Sequence, residues 1–261
     1  VDVHPNGSYQ VVDRLKEMVR LGAEGLDANR LPDDAMERGI KALTRIKLLA
    51  EGWDAREYLS YATSAIREAR NGGAFIRRAR EELGLRVRTI SGEREAGLIF
   101  RGVSRTEDFA ESSLLVDIGG GSVEFIVVDN DTDVYRASLK LGAARMTEQF
   151  VTTDPLSEDE QARMRAHFKA ELSEVAAAAR AHGVTTIVGS SGTMKSLVRT
   201  TQAQQGEGDR RPFQRDFPVA QVRSALRWVM QATADEREAH PAIEPRRVDQ
   251  IGAGAVLLDT L

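Results

Sequence analysis

Hydrophobic positions change their spacing several times along the chain, and these changes predict helices and strands in alternation. The segment that opens at Pro32 places Met36, Ile40 and Leu43 three or four residues apart, which is the spacing of one helix face. Beyond it, short apolar runs alternate with further helix-spaced segments, which is typical of a sheet covered by helices. The pattern predicts strands over 58–61 and 86–90 and helices over 64–70, 75–83 and 93–100.

One early segment, residues 11–19, fits two kinds of element. Its apolar side chains lie near helical spacing, whereas Asn6-Gly7 before it and Gly22 after it are typical of a hairpin strand. Periodicity alone favours a helix for this segment.

The chain changes character at the polar stretch 104–113, where we place a domain boundary. Two apolar runs separated by glycines follow it and predict a strand–turn–strand unit, with a third strand over 134–139. A capping box at Ser157-Glu158-Asp159-Glu160 predicts a long helix that ends at Gly183. The remaining prediction is a strand over 184–188, a helix from Met194, a polar loop over 202–212 and a helical C-terminal part.

Composition narrows the function before any motif is considered. The 261 residues contain no cysteine, which excludes thiol nucleophiles, disulfides, iron–sulfur clusters and cysteine-ligated zinc. Lys and Arg number 36 against 40 Asp and Glu, and this balance argues against a general nucleic-acid-binding protein. The apolar stretches are far shorter than the roughly 20 residues that a membrane-spanning helix needs. We therefore expect a cytoplasmic globular protein with neither a membrane nor a nucleic acid as its partner.

The strongest local motif is a run of glycines between two apolar segments, Asp117-Ile118-Gly119-Gly120-Gly121-Ser122. Three consecutive glycines let the backbone approach a ligand closely, and their amides can form an anion-binding nest suited to phosphate. Asp117 ends the first strand and Glu124 begins the second, so both carboxylates can face the mouth of the nest. Carboxylates repel a phosphate unless a divalent cation lies between them, and Mg²⁺ suits such oxygen ligands. The competing interpretation is a glycine-rich hairpin turn with solvated acids.

Three further segments carry weaker signals. Gly189-Ser190-Ser191-Gly192-Thr193 follows a strand and opens a helix, where it could hold an anion or nucleotide or simply cap the helix. In Ser91-Gly92-Glu93-Arg94-Glu95-Ala96 two acids occupy a first helical turn, where they complement the helix dipole. Arg67, in Thr63-Ser64-Ala65-Ile66-Arg67, is either a surface residue or a phosphate contact. The residues alone leave these alternatives open.

Taken in their order along the chain, these segments resemble the Ppx/GppA family of exopolyphosphatases and guanosine pentaphosphate phosphohydrolases. The glycine motif occurs throughout the actin, Hsp70 and sugar-kinase superfamily, whereas SGxxEA and ATSAxRxAxN narrow the match to this family. The likeness covers nearly the whole chain. It rests on the segments 62–71, 90–96, 116–124 and 189–193, and 14–22 and 139–143 agree with it.

The resemblance implies an α/β fold of the actin-like (ribonuclease H-like) ASKHA superfamily. Its two domains would span 1–112 and 113–261, with the active site in the cleft between them. It also replaces the helix of residues 11–19 by a sheet strand, and it allows a homodimer. The family begins with a strand and a phosphate loop of the type D-x-G-[ST]-N-[ST], which this sequence lacks, so we expect the sequence to be incomplete at its N-terminus. A genuine loss of that loop would severely weaken catalysis.

The resemblance further assigns roles to individual residues. It implies that Glu95 is the catalytic base, although Glu93 is chemically identical and two positions away. Asp117 and Glu124 match acids associated with metal and water, and Arg67 matches a phosphate-contacting arginine. The implied cofactor is Mg²⁺ or another divalent cation such as Mn²⁺. The expected phosphate-binding residues are Gly119, Gly120, Gly121 and Ser122 and, from the weaker segment, Gly189, Ser190, Ser191, Gly192 and Thr193.

We therefore expect a metal-dependent exopolyphosphatase that releases terminal orthophosphate from inorganic polyphosphate. A guanosine pentaphosphate (pppGpp) 5′-phosphohydrolase would use the same residues and differ mainly at the mouth of the cleft. A nucleotide-binding actin-like module without turnover is a third interpretation, which the acids Glu95 and Glu124 disfavour. A sugar or acetate kinase is the fourth, and the SGxxEA match disfavours it.

Overall fold

The N-terminal residues form a small hairpin that a long helix follows. The hairpin consists of β1 (Asp2–Val3) and β2 (Tyr9–Gln10), which pair in antiparallel orientation. Helix α1 (Asp33–Gly52) has acidic residues in its first turn, where they complement the positive end of the helix dipole. The computed structural model describes residues 1–21, 29–109, 111–206 and 216–261.

Residues 11–20 contradict both expectations for this segment, because they form neither a helix nor a strand. The side chains of Val11 and Leu15 are exposed, so the segment buries no continuous apolar face. Packing of such a face supplies most of the stability of a short helix in a protein. A polar contact holds the segment instead, since Glu17 accepts hydrogen bonds from Arg45 of α1.

Two short parallel strands follow α1. Strand β3 (Ser60–Ala62) pairs with β4 (Val87–Thr89), and the helices α2 (Ser64–Glu68) and α3 (Gly72–Leu83) lie between them in the chain. The predicted strands and helices of this region are thus confirmed, with their bounds shifted by a few residues. A small apolar cluster lies among these elements and α1, formed by Leu31, Met36, Ile40, Ala62, Ile66, Phe75 and Ala79.

A four-stranded mixed sheet organises the second half of the chain. Strand β5 (Ser113–Ile118) pairs with β6 (Val123–Asp129) in antiparallel orientation and with β8 (Thr186–Ser190) in parallel orientation. Strand β7 (Thr132–Leu139) pairs with β6 and completes the order β7-β6-β5-β8. The strand–turn–strand unit predicted around the glycines, and the third strand after it, are confirmed.

Different helices cover the two faces of this sheet. On one face, α4 (Gly92–Val103) packs near the buried side chains of Leu115, Ile126 and Val128. The alternate residues of β5 and β6 point to the other face, into the largest apolar cluster of the described chain. The helical elements after β7 are α5 (Ala143–Phe150), α6 (Glu158–Glu171), α7 (Ser173–Ala181), α8 (Ser191–Gln204), α9 (Val219–Gln231), α10 (Ala234–Ala239), a short 3₁₀ turn (Pro245–Arg247) and α11 (Ile251–Thr260).

The single helix predicted from Ser157 to Gly183 is wrong, because it is divided into α6 and α7. Leu172 lies between them with a ψ of 2°, and this bend leaves both Leu172 and Val175 buried in the large cluster. The predicted capping box is confirmed, since Ser157 Oγ accepts from the amide of Glu160 at 3.3 Å and the Glu160 carboxylate accepts from the amide of Ser157 at 2.9 Å.

Two further bounds differ from the prediction in this half. Strand β8 begins at Thr186 instead of residue 184, and α8 begins at Ser191 instead of Met194. Helix α8 continues to Gln204, and residues 207–212 of the predicted polar loop lie outside the described residues. In the described part of the chain, no helix combines the length and the apolar character needed to cross a membrane. The α/β fold class is confirmed, whereas the two-domain actin-like arrangement stays a prediction.

Candidate active site

A row of polar side chains crosses the sheet near one end. Asp117 on β5 lies opposite Glu124 on β6 and opposite Ser190 on β8, and Glu124 lies opposite Ser138 on β7. Residues opposite one another on neighbouring strands project from the same face of a sheet, so four strands contribute to one row. Asp117 is two residues from Leu115, which packs on the α4 side, and the row therefore belongs to that face.

Helix α4 brings Glu95 to this row. The Oγ of Ser91 caps the helix by accepting a hydrogen bond from the amide of Arg94 at 3.2 Å. Gly92 packs so closely on β7 that a Cβ at this position would lie 2.2 Å from the Cβ of Ser138. The first turn of α4 consequently lies directly on the sheet, and Glu95 is held within electrostatic range of the row.

Arg67 approaches Glu95 from helix α2. Its Nη1 lies 3.4 Å from Glu95 Oε2 and donates a hydrogen bond to the carbonyl oxygen of Ile90 at 2.8 Å. The side chains of Arg67 and Glu95 are 24% and 18% exposed, so this ion pair is only partly reached by water. The two segments that narrowed the family resemblance therefore meet at one ion pair.

Burial raises the pKa of all three carboxyl groups at this site. For Glu124, burial and the neighbouring charge of Glu95 raise the pKa to about 7. Hydrogen bonds to its Oε1 from Ser122 at 2.7 Å and Ser138 at 2.8 Å act in the opposite direction. The charge of Asp117 further raises the pKa of both glutamates. This is an arrangement in which a cation would be strongly favoured.

The glycine turn between β5 and β6 leaves backbone amides available. The amide of Gly119 donates to the carbonyl oxygen of Ser122 at 3.0 Å, which closes the turn. The amides of Gly120 and Gly121 donate to no acceptor in the described part of the chain. Gly142 packs directly against the backbone of the turn, because a Cβ there would lie 2.3 Å from the carbonyl oxygen of Gly120. The turn is thus fixed by close backbone contact, as an anion-binding nest requires.

Arg145 holds the carbonyl groups of this turn. Its Nε donates to the carbonyl oxygen of Gly121 at 3.0 Å, and its amide donates to the carbonyl oxygen of Gly120 at 3.1 Å. Its Nη2 donates to Glu68 Oε2 at 2.9 Å, and the other oxygen of Glu68 accepts from Ser64 at 2.6 Å. Because Glu68 lies on α2 next to Arg67, this contact links the helix that carries Arg67 to the glycine turn.

The second glycine-containing segment lies where β8 passes into α8. Ser190 ends β8 opposite Asp117, and Ser191 has a φ of 85°, a left-handed conformation that is uncommon for serine. Arg247 Nη1 donates to Thr193 Oγ1 at 3.3 Å, and a Cβ on Gly192 would lie 1.8 Å from Arg247 Nη2. This segment therefore faces an arginine, whereas the first turn faces carboxylates.

Comparison with known proteins decides the family. The model of the Ppx/GppA phosphatase family matches residues 1–261. The chain belongs to the Ppx/GppA phosphatase family.

Solved structures of this family have the same fold. An exopolyphosphatase from Cytophaga hutchinsonii is 27% identical with a TM-score of 0.90, and the match covers 99% of this chain and 84% of that chain. An exopolyphosphatase-like protein is also 27% identical with a TM-score of 0.85, over 97% of this chain and 81% of that chain. A Ppx/GppA family member from Aquifex aeolicus is 26% identical with a TM-score of 0.76, over 98% of this chain and 82% of that chain.

The family resemblance inferred from the sequence is confirmed, and the residues that it singled out lie at one end of the large sheet. Glu95, Asp117 and Glu124 are close enough to influence one another's pKa, and Arg67 pairs with Glu95. Glu93 is exposed, which favours Glu95 of the two glutamates for the role of base. These roles stay predictions for this Ppx/GppA chain.

Several residues that shape the site were missed in the sequence. Ser138 reaches Glu124 only because of the β6–β7 register, and Glu68 and Arg145 are far apart in the chain. Gly142 lies in the segment 139–143 that agreed with the family resemblance, and this glycine was the one available signal for its supporting role.

The residues of this Ppx/GppA site suit a divalent cation, although they form no complete cage. Among the described residues, no group of three or more acidic or histidine side chains is placed to hold a metal ion. Asp117 and Glu124 nevertheless face each other on neighbouring strands, and burial disfavours their charged forms. Mg²⁺ typically binds through one or two carboxylates and takes its other ligands from water and substrate phosphates. Two carboxylates beside a glycine turn with available amides fit that kind of ion.

Proposed function

We propose that this protein is an exopolyphosphatase, which hydrolyses the terminal phosphoanhydride bond of inorganic polyphosphate with the help of a divalent cation. The observation that carries the proposal is the meeting of Glu95 with Asp117 and Glu124 beside a glycine turn with available amides. Two of the similar solved structures bear the name exopolyphosphatase or exopolyphosphatase-like. An actin-like arrangement of two domains, with this site in the cleft between them, belongs to the same proposal.

In the proposed mechanism, Glu95 acts on the attacking water. Burial raises the pKa of Glu95, which makes its carboxylate a stronger base than an exposed glutamate, while the hydrogen bond from Arg67 favours the ionised form. Glu95 orients or deprotonates a water in line with the terminal phosphorus. The bond from this phosphorus to the bridging oxygen breaks, and orthophosphate leaves. Positioning and charge neutralisation dominate such a reaction, so no covalent phosphoenzyme is required.

The terminal phosphate would lie against the glycine turn and Arg67. The amides of Gly120 and Gly121 supply donors that cost no reorganisation, because Gly142 and Arg145 already fix the turn. Arg67 uses Nη1 for Ile90 and Glu95, and a guanidinium has further N–H groups for phosphate oxygens. These groups would offset the charge that spreads over the equatorial oxygens during transfer.

Asp117 and Glu124 would hold the Mg²⁺ or Mn²⁺. A bound divalent cation neutralises phosphoryl oxygens and stabilises charge in the transition state. Glu124 must give up its proton to act as a ligand, and its pKa of about 7 places this step near neutral pH. Hydrogen bonds from Ser122 and Ser138 keep Glu124 Oε1 in place, which leaves Oε2 for the cation.

Replacement of Glu95 by glutamine tests the proposed base. Loss of a general base typically lowers kcat by about 10²- to 10⁴-fold, and we expect this effect for Glu95→Gln. Glu93→Gln is the matched control, because Glu93 is an exposed glutamate of the same helical turn, and we expect it to keep the unmodified rate. The measurement is release of orthophosphate from long-chain polyphosphate, pppGpp and ATP, each with and without Mg²⁺.

The assay has two informative contrary results. Full Mg²⁺-dependent release by Glu95→Gln would show that Glu95 is not the base. Faster release from pppGpp than from polyphosphate by the unmodified protein would show that pppGpp is the preferred substrate. The roles proposed for the residues would still stand.

A further inference from the structure

Serine or threonine stands immediately before several helices of the described chain, at the N-cap. An N-cap hydroxyl normally accepts a hydrogen bond from an amide in the first turn of its own helix. The hydroxyls before α4, α6 and α10 do so, and they belong to Ser91, Ser157 and Thr233. The hydroxyls of Thr63 before α2 and Ser190 before α8 do not cap their helices. These two hydroxyls are therefore available for other partners.

Both available hydroxyls contact carboxyl groups of the candidate active site. Ser190 is the cross-strand partner of Asp117 and hydrogen-bonds to its carboxylate. Thr63 hydrogen-bonds to the carboxylate of Glu95. A helix without its cap loses stability, and such a departure from the local rule is typical of residues that serve a functional site.

The first turn of α2 places Thr63 against Glu95. The amide of Arg67 donates to the carbonyl oxygen of Thr63 at 2.9 Å, so the two residues lie one helical turn apart. Residues four apart share a helix face, and the side chain of Arg67 on this face lies 3.4 Å from Glu95. Thr63 and Arg67 therefore approach one carboxylate from the same helix.

Backbone pairing fixes this approach. Ala62 ends β3, and its carbonyl oxygen accepts a hydrogen bond from the amide of Ile90 at 3.1 Å. Thr63 directly follows Ala62, and α4 begins two residues after Ile90. Arg67 Nη1 adds a hydrogen bond to the carbonyl oxygen of Ile90. The start of α2 is thus tied to the segment that leads into the helix of Glu95.

We propose that Thr63 is a positioning residue for the proposed base, and that its hydroxyl and Arg67 together orient the carboxylate of Glu95 toward the attacking water. The inference rests on the proposed function and adds a residue to its mechanism. A hydroxyl can donate or accept, whereas a guanidinium can only donate. Thr63 can therefore keep its hydrogen bond to Glu95 both before and after Glu95 takes a proton from the water.

Thr63→Val tests the role of the hydroxyl, because valine keeps the branched shape of the side chain. We expect kcat for orthophosphate release from polyphosphate to fall about tenfold, as for the loss of a hydrogen bond to a charged group. KM should stay within about twofold, because Thr63 contacts Glu95 and not the substrate. Thr63→Ser restores a hydroxyl and should restore most of kcat. A raised KM with an unchanged kcat would overturn the proposal in favour of a direct contact with the substrate.

Thr233→Val is the matched control, because Thr233 is an N-cap threonine that caps its own helix. Its hydroxyl accepts a hydrogen bond from the amide of Glu236 at 3.3 Å. Each of the two variants loses a hydrogen bond, so both should unfold at a lower denaturant concentration. Only Thr63→Val should lower kcat. An unchanged kcat in Thr63→Val would show that Thr63 has a structural role alone and would overturn the proposal.

A double-mutant cycle on kcat separates this inference from the proposed function. Because Thr63 is proposed to work through Glu95, Thr63→Val should lower kcat no further in a Glu95→Gln background. An equal fall in kcat in both backgrounds would overturn the role of Thr63 and leave Glu95 as the proposed base. Full activity of Glu95→Gln alone would instead contradict the proposed function.

A second cycle, on unfolding, needs no catalytic activity. Contact between the two side chains predicts that Thr63→Val changes the unfolding equilibrium constant at least about threefold less in a Glu95→Ala background than in the unmodified protein. Such coupling would support the contact even in a protein that released no orthophosphate. Additive changes would overturn it, whatever the activity of the protein.

Discussion

The two glycine-containing segments lie on neighbouring parallel strands and at the same end of one sheet, yet they have opposite electrostatic surroundings. The segment after β5 returns as β6 and brings Glu124 next to Asp117, so a carboxylate lies on each side of the glycine turn. The segment at the end of β8 leads into α8 and has the guanidinium group of Arg247 packed against it. Under the proposed function, the cation and the attacking water would lie beside the first segment, where the carboxylates are.

The two segments also differ in what fixes them. The first is held by backbone contact with Gly142 and by Arg145, which is almost fully buried. The second is held by Arg247, a long side chain that reaches back from the far end of the sequence. Backbone contacts cannot yield without moving the turn, whereas an arginine side chain can adopt another rotamer. We therefore expect the first segment to be rigid and the second to tolerate change.

The largest effect is expected from an alanine substituted at Gly142. Its Cβ would lie 2.3 Å from the carbonyl oxygen of Gly120, and overpacking of this kind costs about 3 kcal/mol of unfolding free energy. At Gly192 the nearest atom is the tip of Arg247, so Gly192→Ala should cost less than about 1 kcal/mol. Denaturant unfolding of both variants measures the difference. Equal losses of unfolding free energy in the two variants would contradict the expectation that the first segment is the more rigid one.

Activity gives a second view of the same pair of variants. Gly142→Ala should lower orthophosphate release from substrates of every length, because it moves the amides that would bind the terminal phosphate under the proposed function. Gly192→Ala displaces only the guanidinium group of Arg247 and should lower this release much less. Gly102→Ala is the control for substitution of a helical glycine, because a Cβ there meets nothing within 4 Å, and it should be neutral or stabilising.

The raised pKa values of Glu95, Asp117 and Glu124 predict that the stability of the protein depends on pH. The pKa of Glu124 is raised in the folded state to about 7, so between pH 5 and 7 the folded protein binds more protons than the unfolded chain. The unfolding free energy contributed by this group should therefore fall as the pH rises, by about 2 kcal/mol over that range. Burial also raises the pKa of Glu95 and Asp117, and their contributions have the same sign.

Glu124→Gln isolates this contribution. His240 has a lowered pKa because of burial, and it contributes a change of opposite sign, which cancels in the difference between unmodified protein and variant. Unfolding is followed at pH 5, 6 and 7 without added cation, and then with Mg²⁺. Stabilisation by Mg²⁺ should grow with pH in the unmodified protein and be lost in the variant. A pH-independent difference would show that Glu124 titrates normally.

The placement of Asp117 and Glu124 around the first glycine turn was largely predictable from the sequence. The contact of Arg247 with the second glycine-containing segment was not. The glycine motif and its flanking strands are local, and one tight turn is enough to set Asp117 opposite Glu124. The contact of Arg247 with Gly192 and Thr193 joins residues more than 50 positions apart, and no local pattern predicts a contact over such a separation. The predictions for residues 11–20 were wrong for a related reason. An ion pair with a distant residue contacts this segment, while several of its apolar side chains stay exposed. The periodicity of apolar residues could not predict these parts of the structure, because polar contacts between residues far apart in the sequence determine them.

A smaller effect than those of Gly142→Ala and Glu124→Gln is expected at Glu68, which links α2 to the glycine turn through Arg145. Burial raises the pKa of Glu68, but hydrogen bonds from Ser64 and Lys140 and the charge of Arg145 outweigh it, so the pKa lies below its usual value. Glu68→Gln keeps one acceptor for Arg145 and should cost about 1 kcal/mol at pH 7. The carboxylate of Glu68 therefore stabilises the fold at neutral pH, and this stabilisation should be lost as the pH falls from the usual pKa of a glutamate through the lower pKa that Glu68 has in the folded protein.

A purely structural role for Glu68 would change stability alone. A positioning role predicts in addition that Glu68→Gln raises KM for short and long polyphosphates equally, because Arg145 and Arg67 both lose their alignment with the glycine turn. Glu37→Gln is the control, since Glu37 forms an exposed ion pair with Arg78 and such pairs contribute little. An unchanged KM for Glu68→Gln, together with the expected loss of stability, would confine the link to holding α2 in place. An equal rise in KM for short and long polyphosphates would instead show that Glu68 on α2 helps to position the groups that bind the substrate.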